Sequence, residues 1–175
     1  MAPVYDTLQY LLDRANIHDV ISKVPLYYDT CNLEGLTNEV YADEIHVDYT
    51  SILGGEPFVI PRSEWVDKID VIMKGFASTQ HVTSCIIADL PQPAPGATRP
   101  EKVNVLAEAN GAMVGLDETA SPLTINGGLL VAEVKRDIAL ENQGLNPWRI
   151  TKYKVVKKWD SGDASVFDRA KKSMQ

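Results

Sequence analysis

Four runs rich in Val, Ile, Leu and Thr, at 78–88, 102–114, 123–139 and 148–159, fill the second half of the chain, and each has the composition of a β-strand. Ahead of them the apolar residues recur every three to four positions instead. Leu8, Leu11, Leu12 and Ala15 make one helical stripe, with Asp13 and Arg14 on its polar side. Asn16 can cap a second helix from Ile17, whose stripe is Val20, Ile21, Val24, Tyr27, Tyr28 and Cys31. Pro25 interrupts it. A proline inside a helix removes a backbone donor and costs roughly 3 kcal/mol, so either the helix bends there or a new one begins near Val24. A short helix is predicted over 33–41, then a strand over 44–51 with Ile45, Val47 and Tyr49 on one face. After the Gly54-Gly55 turn comes a short strand, Phe58-Val59-Ile60. Pro61 can open the following helix, whose stripe is Trp65, Ile69, Ile72 and Met73. Helices first and long strands last predict an α+β fold: one curved antiparallel sheet wrapped around the helices, with an apolar pocket at the open end of the cone.

The 175 residues, 45% of them hydrophobic, suit a single domain, 1–175. The proline-rich stretch 90–100 reads as a solvent loop, because its prolines cannot join a ladder. Residues 115–122 and 141–147 read as two further polar connections. Beyond the last strand, 160–175 reads as a charged tail with a helical segment over 164–170, whose apolar edge is only Val166, Phe167 and Ala170. A formal charge of −7 argues against nucleic acid or an anionic membrane as partner, since both would be repelled. No run reaches the ~18–20 apolar residues of a membrane span, and residues 1–6 lack a basic stretch followed by an apolar one. Cys31 and Cys85 then read as free thiols of a cytoplasmic protein whose partner is a small molecule.

No G-x-G-x-x-G, P-loop, C-x-x-C or serine elbow occurs, so nucleotide, zinc and acyl-enzyme chemistry lack their usual signals. His46 and Asp48 have no third ligand at metal spacing, and neither a metal nor another cofactor is predicted. What remains is acid–base chemistry on side chains alone. Asp29 and His81 can form a carboxylate–imidazole pair, and histidine is the side chain best poised to exchange protons near neutral pH. Taken alone, His81 in a strand is more often a surface residue, Asp29 at a helix end a solvated carboxylate, and Tyr49 a core tyrosine. His18 and His46 keep such structural readings, and Asp48 and Glu44 read as solvated.

The motifs Tyr28-Asp29-Thr30, Val47-Asp48-Tyr49-Thr50-Ser51, Pro61-Arg62-Ser63-Glu64-Trp65, Thr79-Gln80-His81 and Trp148-Arg149-Ile150 with Trp159 fall in an order and spacing similar to the fungal scytalone dehydratases. These are SnoaL-like members of the NTF2-like superfamily. The resemblance spans about 17–159. It implies a cone fold and a cofactor-free lyase or isomerase, a dehydratase, isomerase or cyclase, acting on a polycyclic or polyketide-like secondary-metabolite intermediate. It implies His81 as acid/base, Asp29 as its partner, and Tyr28 and Tyr49 polarising a carbonyl. Trp65, Leu53, Glu108 and Phe167 complete the expected substrate-binding set, and the tail 160–175 would be a lid. The pattern departs in the second half: 105–108 and 128–131 stand where the dehydratases have a second histidine and an asparagine, so Glu108 or Glu133 would have to supply any second acid. Relatives of this kind assemble through the outer sheet face, which implies a dimer or trimer. A non-catalytic binding or interaction module is the alternative, and it would fill the cone with its own side chains.

Overall fold

The computed structural model describes residues 5–116 and 122–168. Helix α1 (Thr7–Asp29) leads through a single turn, α2 (Leu33–Gly35), and a π-helical stretch, Leu36–Val40, into strand β1 (Tyr41–Asp48). A turn of helix, α3 (Thr50–Leu53), precedes β2 (Phe58–Pro61) and helix α4 (Arg62–Met73). The long strands β3 (Phe76–Ala88), β4 (Lys102–Gly115) and β5 (Leu123–Arg136) follow, then α5 (Ile138–Asn142), β6 (Trp148–Gly162) and a 3₁₀ turn, Ala164–Phe167. Six strands form one curved, unclosed sheet in the order β2-β1-β6-β5-β4-β3, with helices α1 to α4 ahead of the long strands in the chain.

Two helices were expected over 4–31, divided at Asn16; the structure has one. Asp13, read as polar, is fully buried on the same face as Ile17, Val20, Ile21, Val24 and Tyr28, so the buried stripe runs unbroken past Asn16. The carboxylate is compensated there. Arg99 grips it with two nitrogens, at 2.8 and 2.6 Å, and the Trp148 indole N–H donates at 3.0 Å. Stretch 90–100 stays outside the sheet as an irregular, largely exposed loop, as expected, and it is tied down at two points: Arg99 fastens it to α1 and Gln92 donates to the Tyr10 hydroxyl at 3.1 Å. Pro25 lies inside the helix without ending it. The buried side chains on either side hold the axis, so the lost backbone bond is tolerated.

Two further corrections share one cause, a polar side chain capping a turn. Strand β1 ends at Asp48 rather than Ser51, because the Asp48 carboxylate accepts from the Thr50 amide at 3.2 Å and the Thr50 hydroxyl at 2.7 Å. Asp48 is also buried rather than solvated, and it pairs with Lys154 at 2.9 Å. At the end of β5, Asp137 accepts from the amides of Ala139 and Leu140, which starts α5 where strand had been expected as far as 139. The sheet is mixed rather than antiparallel. Strand β1 runs parallel to β6, which is possible because nearly the whole chain lies between them.

The helices fill the concave face. Trp65, Val66, Ile69 and Ile72 of α4 and the stripe of α1 meet Val103, Val105, Ala107, Met113, Leu130 and Ala132 from the sheet. At one end this packing leaves a gap between the last turn of α1, α3, α4 and the strands.

Candidate active site

Asp29 is the last residue of α1, where the helix dipole opposes a negative charge. Strand β3 supplies the compensation. The Thr79 hydroxyl donates to Asp29 Oδ1 at 2.7 Å, the His81 backbone N–H donates to Oδ2 at 2.6 Å, and His81 Nδ1 lies 2.6 Å from Oδ1. Burial raises the carboxyl's pKa, but the bonds from His81 and Thr79 outweigh it and hold Asp29 below the ordinary carboxylate value. A carboxylate bound at Nδ1 fixes the imidazole with Nε2 free to exchange a proton. The His81 side chain is 26% exposed, at the wall of a cavity of about 100 Å³.

Tyr28, Tyr49 and Tyr153 line that cavity, and the buried Tyr41 reaches it through the Tyr28 hydroxyl. The hydroxyls of Tyr28 and Tyr41 lie 2.6 Å apart, and the Tyr28 ring stands edge-on to the His81 imidazole at 6.2 Å. Tyr49 stacks on Tyr153 with ring centroids 5.9 Å apart. Burial pushes the Tyr49 phenol up to about 12, against the pull of the Tyr28 and Tyr153 hydroxyls. Burial likewise raises Tyr28, Tyr41 and Tyr153. These phenols are thus neutral hydrogen-bond donors at any physiological pH.

The register of the sheet explains why there is space. His81 on β3 lies opposite Gly111 on β4, which lies opposite Asn126 on β5. Opposed residues share a face, so a glycine separates the imidazole from the amide. A methyl group at Gly111 would stand 3.2 Å from His81 Cδ2 and 3.1 Å from Met113 Sδ. The next row is Thr83, Ala109, Gly128 and Lys157, again small in the middle.

Four residues expected to work together, Tyr28, Asp29, Tyr49 and His81, are brought to one place, and Leu53 and Phe167 line the same cavity. Two expected residues are not there. Trp65 is fully buried behind the wall, touching Tyr49 at 5.6 Å and Phe58 at 6.3 Å between ring centroids. Glu108 is exposed, because it has the outward parity of Leu106 between the inward Val105 and Ala107. Glu133, the other candidate acid, is held by Lys102, Lys152 and Thr151 instead. Sequence reasoning missed Tyr41, Tyr153, Gly111, Asn126 and Lys157. The runs Asn110-Gly111 and Asn126-Gly127-Gly128 carried the signal, since small and polar residues inside apolar strands mark a close approach or a pocket. An asparagine does line the cavity, two residues before the 128–131 segment in which one was sought. Among the described residues no group of three or more His, Cys, Asp and Glu could hold a metal ion.

The SnoaL-like domain profile matches residues 9–154, and the chain belongs to this family within the NTF2-like superfamily. No curated protein matches the sequence. Similar solved structures include the Kfla4162 protein from Kribbella flavida, with 17% identity over 88% of this chain and 95% of that chain and a TM-score of 0.74. A candidate scytalone dehydratase from Novosphingobium aromaticivorans is 15% identical over 90% of this chain and 92% of that one, with a TM-score of 0.69. Hexachlorocyclohexane dehydrochlorinase LinA-type3 from Novosphingobium barchaimii is 13% identical over 91% and 95%, with a TM-score of 0.70. At such identities the likeness establishes the fold.

Proposed function

We propose that this protein is a cofactor-independent acid–base enzyme, a lyase or isomerase that dehydrates, isomerises or cyclises a polycyclic or polyketide-like secondary-metabolite intermediate. The observation that carries the reading is the 2.6 Å contact between His81 Nδ1 and Asp29 at the wall of a cavity lined by neutral tyrosines. His81 Nε2 takes a proton from a carbon next to a carbonyl, and Asp29 stabilises the imidazolium that results. Tyr28 and Tyr49 donate to the oxygen on which enolate charge develops, where burial makes such bonds count for more than in water. Elimination of water, ring closure and a double-bond shift all begin with that step. The candidate dehydratase and the dehydrochlorinase among the similar structures carry names of eliminations, which supports the same class. A non-catalytic module would have filled the cone, and the cavity with its paired Asp29 and His81 favours the enzyme.

The outer sheet face supports the expected dimer or trimer. Val82, Leu106, Ile125, Val131 and Trp159 are exposed there on four neighbouring strands. No described helix is long and apolar enough to cross a membrane, and Cys31 and Cys85 are exposed free thiols, which supports a cytoplasmic setting.

The test is proton exchange on a simple ketone. α-Tetralone in deuterated buffer, followed by proton NMR, should lose its α-hydrogen signal faster with the wild-type protein than with buffer. His81→Ala should slow the catalysed part by about 10²–10⁴-fold. Equal exchange by both proteins would overturn the assignment of His81.

A further inference from the structure

Among the described residues that line the cavity, Lys157 is the one side chain with a permanent charge, and the tyrosine–histidine machinery has no use for it. It sits opposite Gly128, on the inward face that also holds Tyr153 and Val155. Its place is built rather than incidental. The β5–β6 register pairs Gly128 with Lys157 but Gly127 with Trp159, so Lys158 is an extra residue, a β-bulge. The bulge shifts the alternation of β6. Trp159 turns out over Gly127, where a methyl group would lie 2.5 Å from its ring, and Asp160 joins the row of Asn126, Gly111 and His81. Lys157 and Asp160 thereby reach the same face, and they form an ion pair. Turn α3 secures the arrangement, since Ser51 Oγ donates to the Val155 carbonyl at 2.6 Å and accepts from the Lys157 amide at 3.0 Å.

A partly exposed ion pair of this type contributes about 0–1 kcal/mol to stability. Its partner is therefore easily exchanged. A ligand anion entering the cavity would meet a lysine already positioned, and would take over the place that Asp160 holds. We infer that Lys157 is a specificity residue that receives a carboxylate of the substrate, with Asp160 as its resident stand-in. This inference rests on the reading of the cavity as a substrate site, and it narrows the substrate class to aromatic or polyketide-like acids. The acid group binds at Lys157, on β6. The reacting carbon lies toward His81, three strands away across Gly111 and Asn126.

The test is binding, which needs no turnover. 2-Naphthoate and its uncharged isostere 2-naphthamide are titrated at pH 7.5 into wild type, Lys157→Met, Lys157→Arg and Asp160→Asn, and affinities are read by ligand-observed NMR. Wild type should prefer the acid by about fivefold, the size expected of one screened charge contact. Lys157→Met should bind the two alike while keeping wild-type affinity for the amide, Lys157→Arg should keep the preference, and Asp160→Asn should enlarge it by removing the competitor. Equal affinities in wild type, or a preference surviving in Lys157→Met, overturn the inference and leave the acid–base reading standing. Failure of wild type to bind either probe overturns the inference and the substrate-site reading together.

Discussion

Asp29 and His81 divide one task, and their variants should separate the shares. His81→Ala removes the proton carrier and should lower kcat by about 10²–10⁴-fold. Asp29→Asn leaves Nε2 in place but withdraws the charge that stabilises the imidazolium, so a smaller loss is expected with the fold retained, measured as kcat beside a melting curve. Gly111 offers a subtler perturbation. A methyl group there would press on His81 Cδ2 and Met113 Sδ, so Gly111→Ala should cost activity by turning the ring off its carboxylate while Tm changes little. A wild-type rate in Gly111→Ala would mean that the imidazole position is not what limits the reaction. At this scale the sequence was half legible. Tyr28, Asp29 and His81 announce themselves because their residue types are chemically unusual on apolar elements. Tyr41, Tyr153 and Lys157 could be placed only by register, which a bulge at Lys158 and an irregularity between Tyr41 and His46 conceal.

Elements meet the site through ties that local periodicity cannot reveal. The buried Asp13 joins α1 to the start of β6 through Trp148 and to stretch 90–100 through Arg99, which also pairs with Glu141 of α5. Removing one partner of a buried ion pair strands the other, so Asp13→Ala should lower unfolding free energy by about 3–5 kcal/mol, read by urea denaturation. The sequence showed Asp13 only as a residue on the polar side of a helical stripe, because its partner lies 86 residues away. The tail is another such case. The 3₁₀ turn Ala164–Phe167 is docked, not loose: Val166 is buried, and Phe167 meets Phe76 edge-on at 6.2 Å. The part of the expected lid beyond residue 168 lies outside the described residues. Cutting the chain after Gly162 would therefore cost stability as well as cover, since burying a valine is worth about 1.5–3 kcal/mol. Phe167→Ala isolates the cover. Phe167 lines the cavity, so its ring is among the surfaces that a two-ring substrate would meet. The variant should then change KM for such a substrate severalfold with a small shift in Tm, and unchanged kinetics would remove Phe167 from the binding set.

For the whole molecule, carboxylates and phenols whose surroundings change on folding set the pH limits of the fold, one at each end. Asp29 is more acidic in the folded chain than in the unfolded one, as are Asp48, bound by Thr50 and Lys154, and Glu39, bound by Lys23 and Tyr27. A depressed carboxyl contributes stability that is fully present above its unfolded value, near 4, and is lost as pH falls through the folded value. The tyrosines act in the opposite sense. Tyr28, Tyr41, Tyr49 and Tyr153 are raised by burial, so the folded state resists ionisation that the unfolded state accepts from about pH 10. Their contribution is whole below that value and declines as pH rises through the folded values, where the chain must either bury a phenolate or open. Stability measured by urea midpoint should therefore form a plateau between about pH 5 and 9, with an acid limb governed by carboxylates and an alkaline limb governed by these tyrosines. Two variants assign the limbs. Asp29→Asn should flatten the acid limb and leave the alkaline one alone. Tyr153→Phe, which keeps the ring stacked on Tyr49 but has nothing to ionise, should lower the plateau slightly and flatten the alkaline limb. An alkaline limb identical in wild type and Tyr153→Phe would remove Tyr153 from the groups that set it.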